Sequence, residues 1–285
     1  MSLIFEPAIK QMIESNCSYF EPKSFQDYIK ENNLTKSKTS ECISVDSYEM
    51  LNKTLRDNRI MVLRAGEALN NGTGTQFVLV KVDELKDYFI VDNDVMNKES
   101  WETYLPTKSI RELFAYQVFP FLSETSYVNL GVASGLISHA LGLDEYNVPL
   151  TPATGKSTFS FEFIPHSSMK NNIINHNNGQ VEIDGVFVAK RDGRQVVFVL
   201  EAKSDLKHKS LSKHKLVYPI LSISSKVPKD MTIIPVYMKV YKKDDGIHYH
   251  IIECEYPDPR IRITAIDELK VKNYSHLVLP IFDLK

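Results

Sequence analysis

Cysteine is scarce in this 285-residue chain: Cys17, Cys42 and Cys254 are odd in number and far apart. No Cys-x-x-Cys pair occurs, so neither a disulfide framework nor a zinc ribbon is indicated, and a reducing cytoplasm is the expected location. Long apolar runs are missing too. None approaches the roughly 18 residues needed to span a bilayer, and the amino terminus has no basic region leading into an apolar core, so secretion and membrane insertion are not expected. An excess of basic charge is also absent. The 34 Lys and Arg against 36 Asp and Glu leave a net charge of −2, so local clusters must carry any argument for nucleic acid. No Gly-x-Ser-x-Gly elbow or His-Glu-x-x-His helix supports serine-hydrolase or zincin chemistry, and no repeat of fixed period is present.

What is present is ordinary in bulk: 43% hydrophobic and 25% charged residues, enough chain for one large domain or two ordinary ones. The informative stretch is 179–203. Gly179-Gln-Val-Glu-Ile-Asp184-Gly-Val-Phe-Val and Val196-Val-Phe-Val-Leu-Glu201-Ala-Lys203 are rich in β-formers, and Asp192-Gly193 between them is a strong hairpin signal. A two-residue turn there sets Asp184 opposite Glu201 and Glu182 opposite Lys203. Alternation then gathers Gln180, Glu182, Asp184, Glu201 and Lys203 on one face. Opposed carboxylates with Cβ atoms about 4.5–5.5 Å apart repel unless a cation lies between them. A divalent metal such as Mg²⁺ is the natural neutraliser, and a metal-bound water near a lysine is a ready nucleophile for phosphodiester hydrolysis. The competing reading is a solvated face with a Glu182–Lys203 pair worth about a few tenths of a kcal/mol. Against it, Val196 to Leu200 are five consecutive apolar residues, the mark of a strand covered on both sides.

Around this hairpin, helical spacing is expected over Glu6–Ser15, over Lys23–Asn32 with Ser24 or Pro22 as its start, and over Ser47–Asp57, followed by strands Ile60–Arg64 and Phe77–Val82. Helices followed by a two-stranded wing resemble a winged-helix DNA-binding unit. Ser47–Asp57 would be its recognition helix, presenting Asn52, Lys53 and Arg56, with Arg59 nearby for phosphates. A small α+β lobe packed on the rest explains the same pattern. This amino-terminal part is expected to occupy 1–118, with a second unit over 119–285. A long helix from Glu124 to Leu141, capped by Ser123, opens that unit. Thr154-Gly155-Lys156-Ser157 is not a phosphate loop, because the motif's first glycine would fall at Leu150 and Thr158–Ile164 alternates like a strand. Lys156 stays as a backbone-phosphate contact. Lys207, His208, Lys209, Lys213, His214 and Lys215 form the densest basic cluster, on a helix running to Ile223 that Pro219 kinks or breaks. Directly after the acidic hairpin it suits a phosphate-backbone substrate, though a solvated helix face has the same composition. Met231–Val240 and Ile247–Glu255 read as a second hairpin and Leu277–Ile281 as a final strand. His248 and His250 share a face there without a third metal ligand.

Gln180-x-Glu182-Ile183-Asp184-Gly, then Glu201-Ala202-Lys203, then Leu216-Val217-Tyr218-Pro219 resemble the PD-(D/E)XK superfamily of restriction-endonuclease-like fold. They look most like a type II restriction endonuclease branch that reads Q-x-E-[IV]-D, E-A-K and R-Q-L-Y-Y-P. The match covers roughly Glu124 to Glu255. It implies an α/β (α+β) core with a central mixed sheet flanked by helices, beside the amino-terminal α+β lobe. It also implies a Mg²⁺-dependent endonuclease, Mn²⁺ substituting, with double-stranded DNA as partner and a homodimer among the assemblies to test. Carried over, Asp184 and Glu201 are metal ligands, the Ala202 carbonyl adds a third, and Glu124 reaches the metal through water. Lys203 positions or activates the attacking water and steadies the phosphate, Glu182 orients Lys203, and Lys215 takes a phosphate or water contact. Ile183 replaces the superfamily's proline, and His214-Lys215 replaces the helix's Arg-Gln. DNA contacts are expected from Lys53, Arg56, Arg59, Lys156, Lys207, Lys209 and Lys213. Another nuclease on this fold (repair, transposition or RNA cleavage) and a non-catalytic nucleic-acid-binding protein are the alternatives.

Overall fold

The apolar run 196–200 lies in a strand, Arg194–Lys203, whose side chains alternate into two separate buried clusters. Val197 and Val199 enter one; Val196, Phe198 and Leu200 enter the other. Cover on both faces explains the missing polar alternation. Fully burying a side chain such as Phe198 contributes about 1.5–3 kcal/mol.

This computed structural model describes residues 3–35, 38–69, 72–96, 100–106, 108–144, 150–204 and 206–281. Among them the strands are β1 (Tyr19–Ser24), β2 (Ile60–Glu67), β3 (Thr75–Lys81), β4 (Phe89–Val91), β5 (Glu102–Thr103), β6 (Ala153–Phe163), β7 (Ile174–Arg191), β8 (Arg194–Lys203), β9 (Ser210–Ser212), β10 (Thr232–Lys243), β11 (Gly246–Glu255) and β12 (Lys270–Leu279). The α-helices are α1 (Glu6–Glu14), α2 (Phe25–Glu31), α3 (Thr39–Ile43), α4 (Lys53–Asp57), α5 (Asp92–Val95), α6 (Ile110–Leu113), α7 (Glu124–Ala133), α8 (Leu136–Ala140) and α9 (His214–Ser224). The protein is mixed α/β, built on a ten-stranded mixed sheet ordered β1-β3-β2-β7-β8-β10-β11-β12-β5, with β6 also paired to β7. Strands β4 and β9 form a separate pair. No helix among the described residues is long and apolar enough to cross a membrane.

The β7–β8 hairpin has the expected register, from Arg191↔Arg194 to Gly185↔Leu200. Its turn works because Asp192 and Gly193 both have positive φ, 52° and 73°. The Asp144 carboxylate accepts both turn amides at 2.9 Å. Strands β8 and β10 are parallel. A parallel pair needs a crossover, and α9 supplies it, carrying Lys215 back over the end of β8. Within α9, Pro219 has no N–H to give the Lys215 carbonyl.

One buried cluster includes Ile4, Val80, Leu216 and Leu269, so side chains from either side of the expected 118/119 boundary lie in it. The seam is narrow. Strand β2 meets β7 through one bridged pair, Gly66↔Asn177. A Cβ on Gly66 (φ +81°) would fall 2.1 Å from the Asn177 carbonyl oxygen, so only glycine permits this approach.

Several expected helices are shorter. Ser47–Asp57 is not a continuous recognition helix: a 3₁₀ turn spans Tyr48–Met50, Leu51 is extended, and Asn52 caps α4 by accepting the Thr54 amide at 2.9 Å. The adjoining wing, β2–β3, is part of the large sheet. Ser123 caps α7 as expected, but Gly135 (φ 81°) ends the Glu124–Leu141 helix early. The basic helix begins only at His214, because residues 210–212 are drawn into β9 against β4.

Candidate active site

Strands β7 and β8 part company at Asp184. Their ladder stops at Gly185↔Leu200, and beyond it the half-buried Asp184 side chain takes over, Oδ2 accepting the Ala202 amide at 2.8 Å. In an extended strand the amide and carbonyl of one residue point to the same edge, so the Ala202 carbonyl faces the same gap. Glu201 lies on the α9 side of the sheet and is 3% exposed. Its Oε1 is 2.9 Å from Lys203 Nζ and 3.7 Å from Lys215 Nζ. Glu124, in the first turn of α7, reaches the same spot: Oε2 is 3.9 Å from Lys203 Nζ, and Oε1 accepts the Ser204 amide at 3.1 Å. From the amino-terminal part, Asp46 Oδ1 stands 3.5 Å from Lys215 Nζ.

The electrostatics follow from burial. Desolvation pushes the Glu201 carboxyl up to about 7; Lys215 and Lys203 pull it back, and the Asp184 charge adds to the rise. Burial alone would lower Lys203, yet Glu201 and then Glu124 hold its ammonium above the usual lysine value. Lys215 behaves likewise, with Glu201 and Asp46 outweighing burial. Burial would raise Asp46, but Lys215, Lys203 and His214 bring it below the ordinary value. Two ammonium groups therefore share one buried carboxylate, with two more carboxylates at the rim.

Asp184, Glu201 and the Ala202 carbonyl offer only hard oxygen donors. Among the described residues no group of three or more His, Cys, Asp or Glu side chains forms a metal cage. Mg²⁺, however, is held through one or two carboxylates and keeps several waters, so this donor set fits it.

The structure thus gathers Asp184, Glu201, Ala202, Lys203, Glu124 and Lys215. Glu182 is different. Between Ala153↔Val186 and Gly155↔Ile183 two residues of β7 oppose one of β6, a bulge that turns Glu182 away from the cluster. It is exposed and pairs with Lys156 at 3.5 Å, not with Lys203. Lys213 also departs from expectation: it is 7% exposed, its Nζ donates to the Asp267 carbonyl at 3.3 Å, and burial followed by Lys270 lowers it to about 8. A buried ammonium used this way is not presented at the surface. Lys207 and Lys209 are exposed. Lys53 pairs with Asp57 at 2.7 Å, the Arg56 guanidinium lies 5.5 Å from the Tyr48 ring centroid, and Arg59 donates to the Asp83 carbonyl at 3.3 Å.

Two site residues have no signal in the sequence, Asp46 and Arg64. Arg64 is brought in by Tyr218, whose hydroxyl donates to the Arg64 carbonyl at 2.8 Å.

No curated protein and no solved structure matches this chain. Residues 89–275, more than half of the chain, match the model of a family described as a domain of unknown function (DUF6997). That stretch contains Glu124, Asp184, Glu201, Lys203 and Lys215, and the chain belongs to the DUF6997 family.

Proposed function

We propose that the protein is a Mg²⁺-dependent endonuclease of the PD-(D/E)XK type that hydrolyses phosphodiester bonds of duplex DNA, in the manner of a type II restriction enzyme. One observation carries the reading: Asp184 and Glu201 stand at the parting of β7 and β8 with Lys203 Nζ 2.9 Å from Glu201. Asp184, Glu201 and the Ala202 carbonyl would hold a divalent cation, which would supply Lewis acidity at the scissile phosphate. Lys203, held above the usual lysine value by Glu201 and Glu124, enters as an ammonium. Its task is to hold the attacking water and balance the charge that builds on the phosphoryl oxygens. Glu124 positions Lys203 and the Ser204 amide, and Lys215 adds positive charge on the α9 side.

The test is incubation with plasmid and genomic DNA in Mg²⁺ or Mn²⁺, followed by sequencing of the ends. Lys203→Ala is expected to lower cleavage about 10²–10³-fold while duplex binding persists. Undiminished metal-dependent cutting by that variant sinks the assignment. Parallel single-strand and RNA substrates separate other nucleases of this fold, and no cleavage of any of them favours a non-catalytic binding protein.

A further inference from the structure

Beside the acid–lysine cluster lies a cavity between β2, β7 and α9, lined by Asp46, Arg64, Gln180, Glu182, Lys215 and Tyr218 among others. Its charges are unevenly matched. Each carboxylate has an ammonium 3.5 Å away: Asp46 has Lys215, and Glu182 has Lys156. The two imidazoles lining it, His176 and His214, are neutral near pH 7, burial holding them at about 4 and about 3. Arg64 is half-buried and makes no ion pair among the described residues; its one side-chain hydrogen bond there runs from Nη1 to Ser44 Oγ at 3.4 Å. The Arg64 charge nevertheless reaches His176, His214 and Tyr218 across the cavity.

A partly desolvated cation without a counter-charge is costly until an anion completes it. A guanidinium fork matches phosphate oxygens in pairs. Arg64 is also held from behind. The buried Tyr218 hydroxyl clamps its carbonyl, and Tyr218 stands one helical turn from Lys215 on α9, so one helix places both cations.

We propose that Arg64 binds a backbone phosphodiester of the nucleic acid in this cavity, next to the one Lys203 and Lys215 face. This rests on the nucleic-acid substrate proposed above and adds a contact from the amino-terminal part of the chain.

The experiment is fluorescence anisotropy of the full-length protein with a labelled 30-base-pair duplex, over a range of salt, with Ca²⁺ in place of Mg²⁺. Arg64→Ala is expected to weaken binding about ten-fold and to reduce the slope of log affinity against log salt by about one. Arg64→Lys should restore the slope, because it restores the charge, while recovering only part of the affinity. Arg64→Gln supplies the neutral comparison if Arg64→Ala does not show a cooperative melt. Wild type and the neutral variant binding alike at every salt overturns the inference, whether or not the protein cuts DNA. Arg64-dependent binding without cleavage in Mg²⁺ or Mn²⁺ keeps the inference and removes the nuclease reading. No binding to duplex, single strand or RNA overturns both.

Discussion

Two buried carboxylate–ammonium groupings sit side by side in the sheet, and they are built on opposite plans. Lys239 on β10 is in register with Lys203 on β8, yet its ammonium is paired one-to-one with Asp92, both side chains being 5% exposed. That pair is closed on all sides: Tyr237 donates to Asp92, Lys239 donates also to the His208 carbonyl, and the Asp92 amide donates to the Lys209 carbonyl. Burial raises the Asp92 carboxyl, with Lys239 opposing the rise. On the neighbouring strand β8, Glu201 serves two lysines, Glu124 and Asp46 sit at the rim, and the strand ladder to β7 has already opened. A closed pair fixes structure; an open cluster with surplus charge of both signs is fit to exchange partners.

The comparison breaks most severely at Lys239. Lys239→Ala leaves Asp92 buried without its cation and should lower unfolding free energy by about 3–5 kcal/mol, read by chemical denaturation. Replacing both partners, Asp92→Leu with Lys239→Met, should recover most of that loss. Recovery by no apolar pair would mean that this site, too, is more than structural.

A smaller effect sharpens the other side. In EDTA the folded state holds the Glu201 proton up to about pH 7, whereas an unfolded glutamic acid loses it near its ordinary value of 4.5. The stability this contributes is fully present below about pH 4.5 and is lost as pH rises through about 7, at up to about 1.4 kcal/mol per pH unit. Thermal melts of wild type should therefore fall over that window more steeply than those of Glu201→Gln. Mg²⁺ at pH 8 should raise the wild-type melting temperature, and Asp184→Asn should abolish that rise. Parallel pH profiles for wild type and Glu201→Gln would contradict the buried, protonated carboxyl.

The smallest effect belongs to Glu182. Its pair with Lys156 is solvent-exposed, so Glu182→Gln should change stability by no more than about 0.2–1 kcal/mol and leave the Lys203 environment untouched.

Glu182 also marks where sequence reasoning ends. The hairpin was legible because a turn with two consecutive positive φ values leaves few sequences and one register. The two-sided burial of β8 was legible in five apolar residues, and Glu201, Lys203 and Lys215 came with it. The face of Glu182 was not, since it depends on a bulge against β6, and bulges are set by the partner strand. Asn52 reads equally well inside a helix or at its cap, and tertiary packing chose the cap. Lys213 belongs to a basic cluster by composition, but pairing of β9 with β4 carried it inward. Asp46 and Arg64 were invisible for a plainer reason: Arg64 meets its clamp, Tyr218, across 154 positions of chain.

That separation gives the glycine seam a meaning in time. Strand β2 emerges first during synthesis, but its bridge to Asn177 and its clamp from Tyr218 cannot form until those residues have been made. At about 5–20 residues per second the delay is on the order of ten seconds. Throughout it, a nascent chain carries Arg64 and Asp46 with none of the hairpin they serve. The cavity therefore comes into being only when β7, β8 and α9 have left the ribosome and the two parts of the sheet have joined.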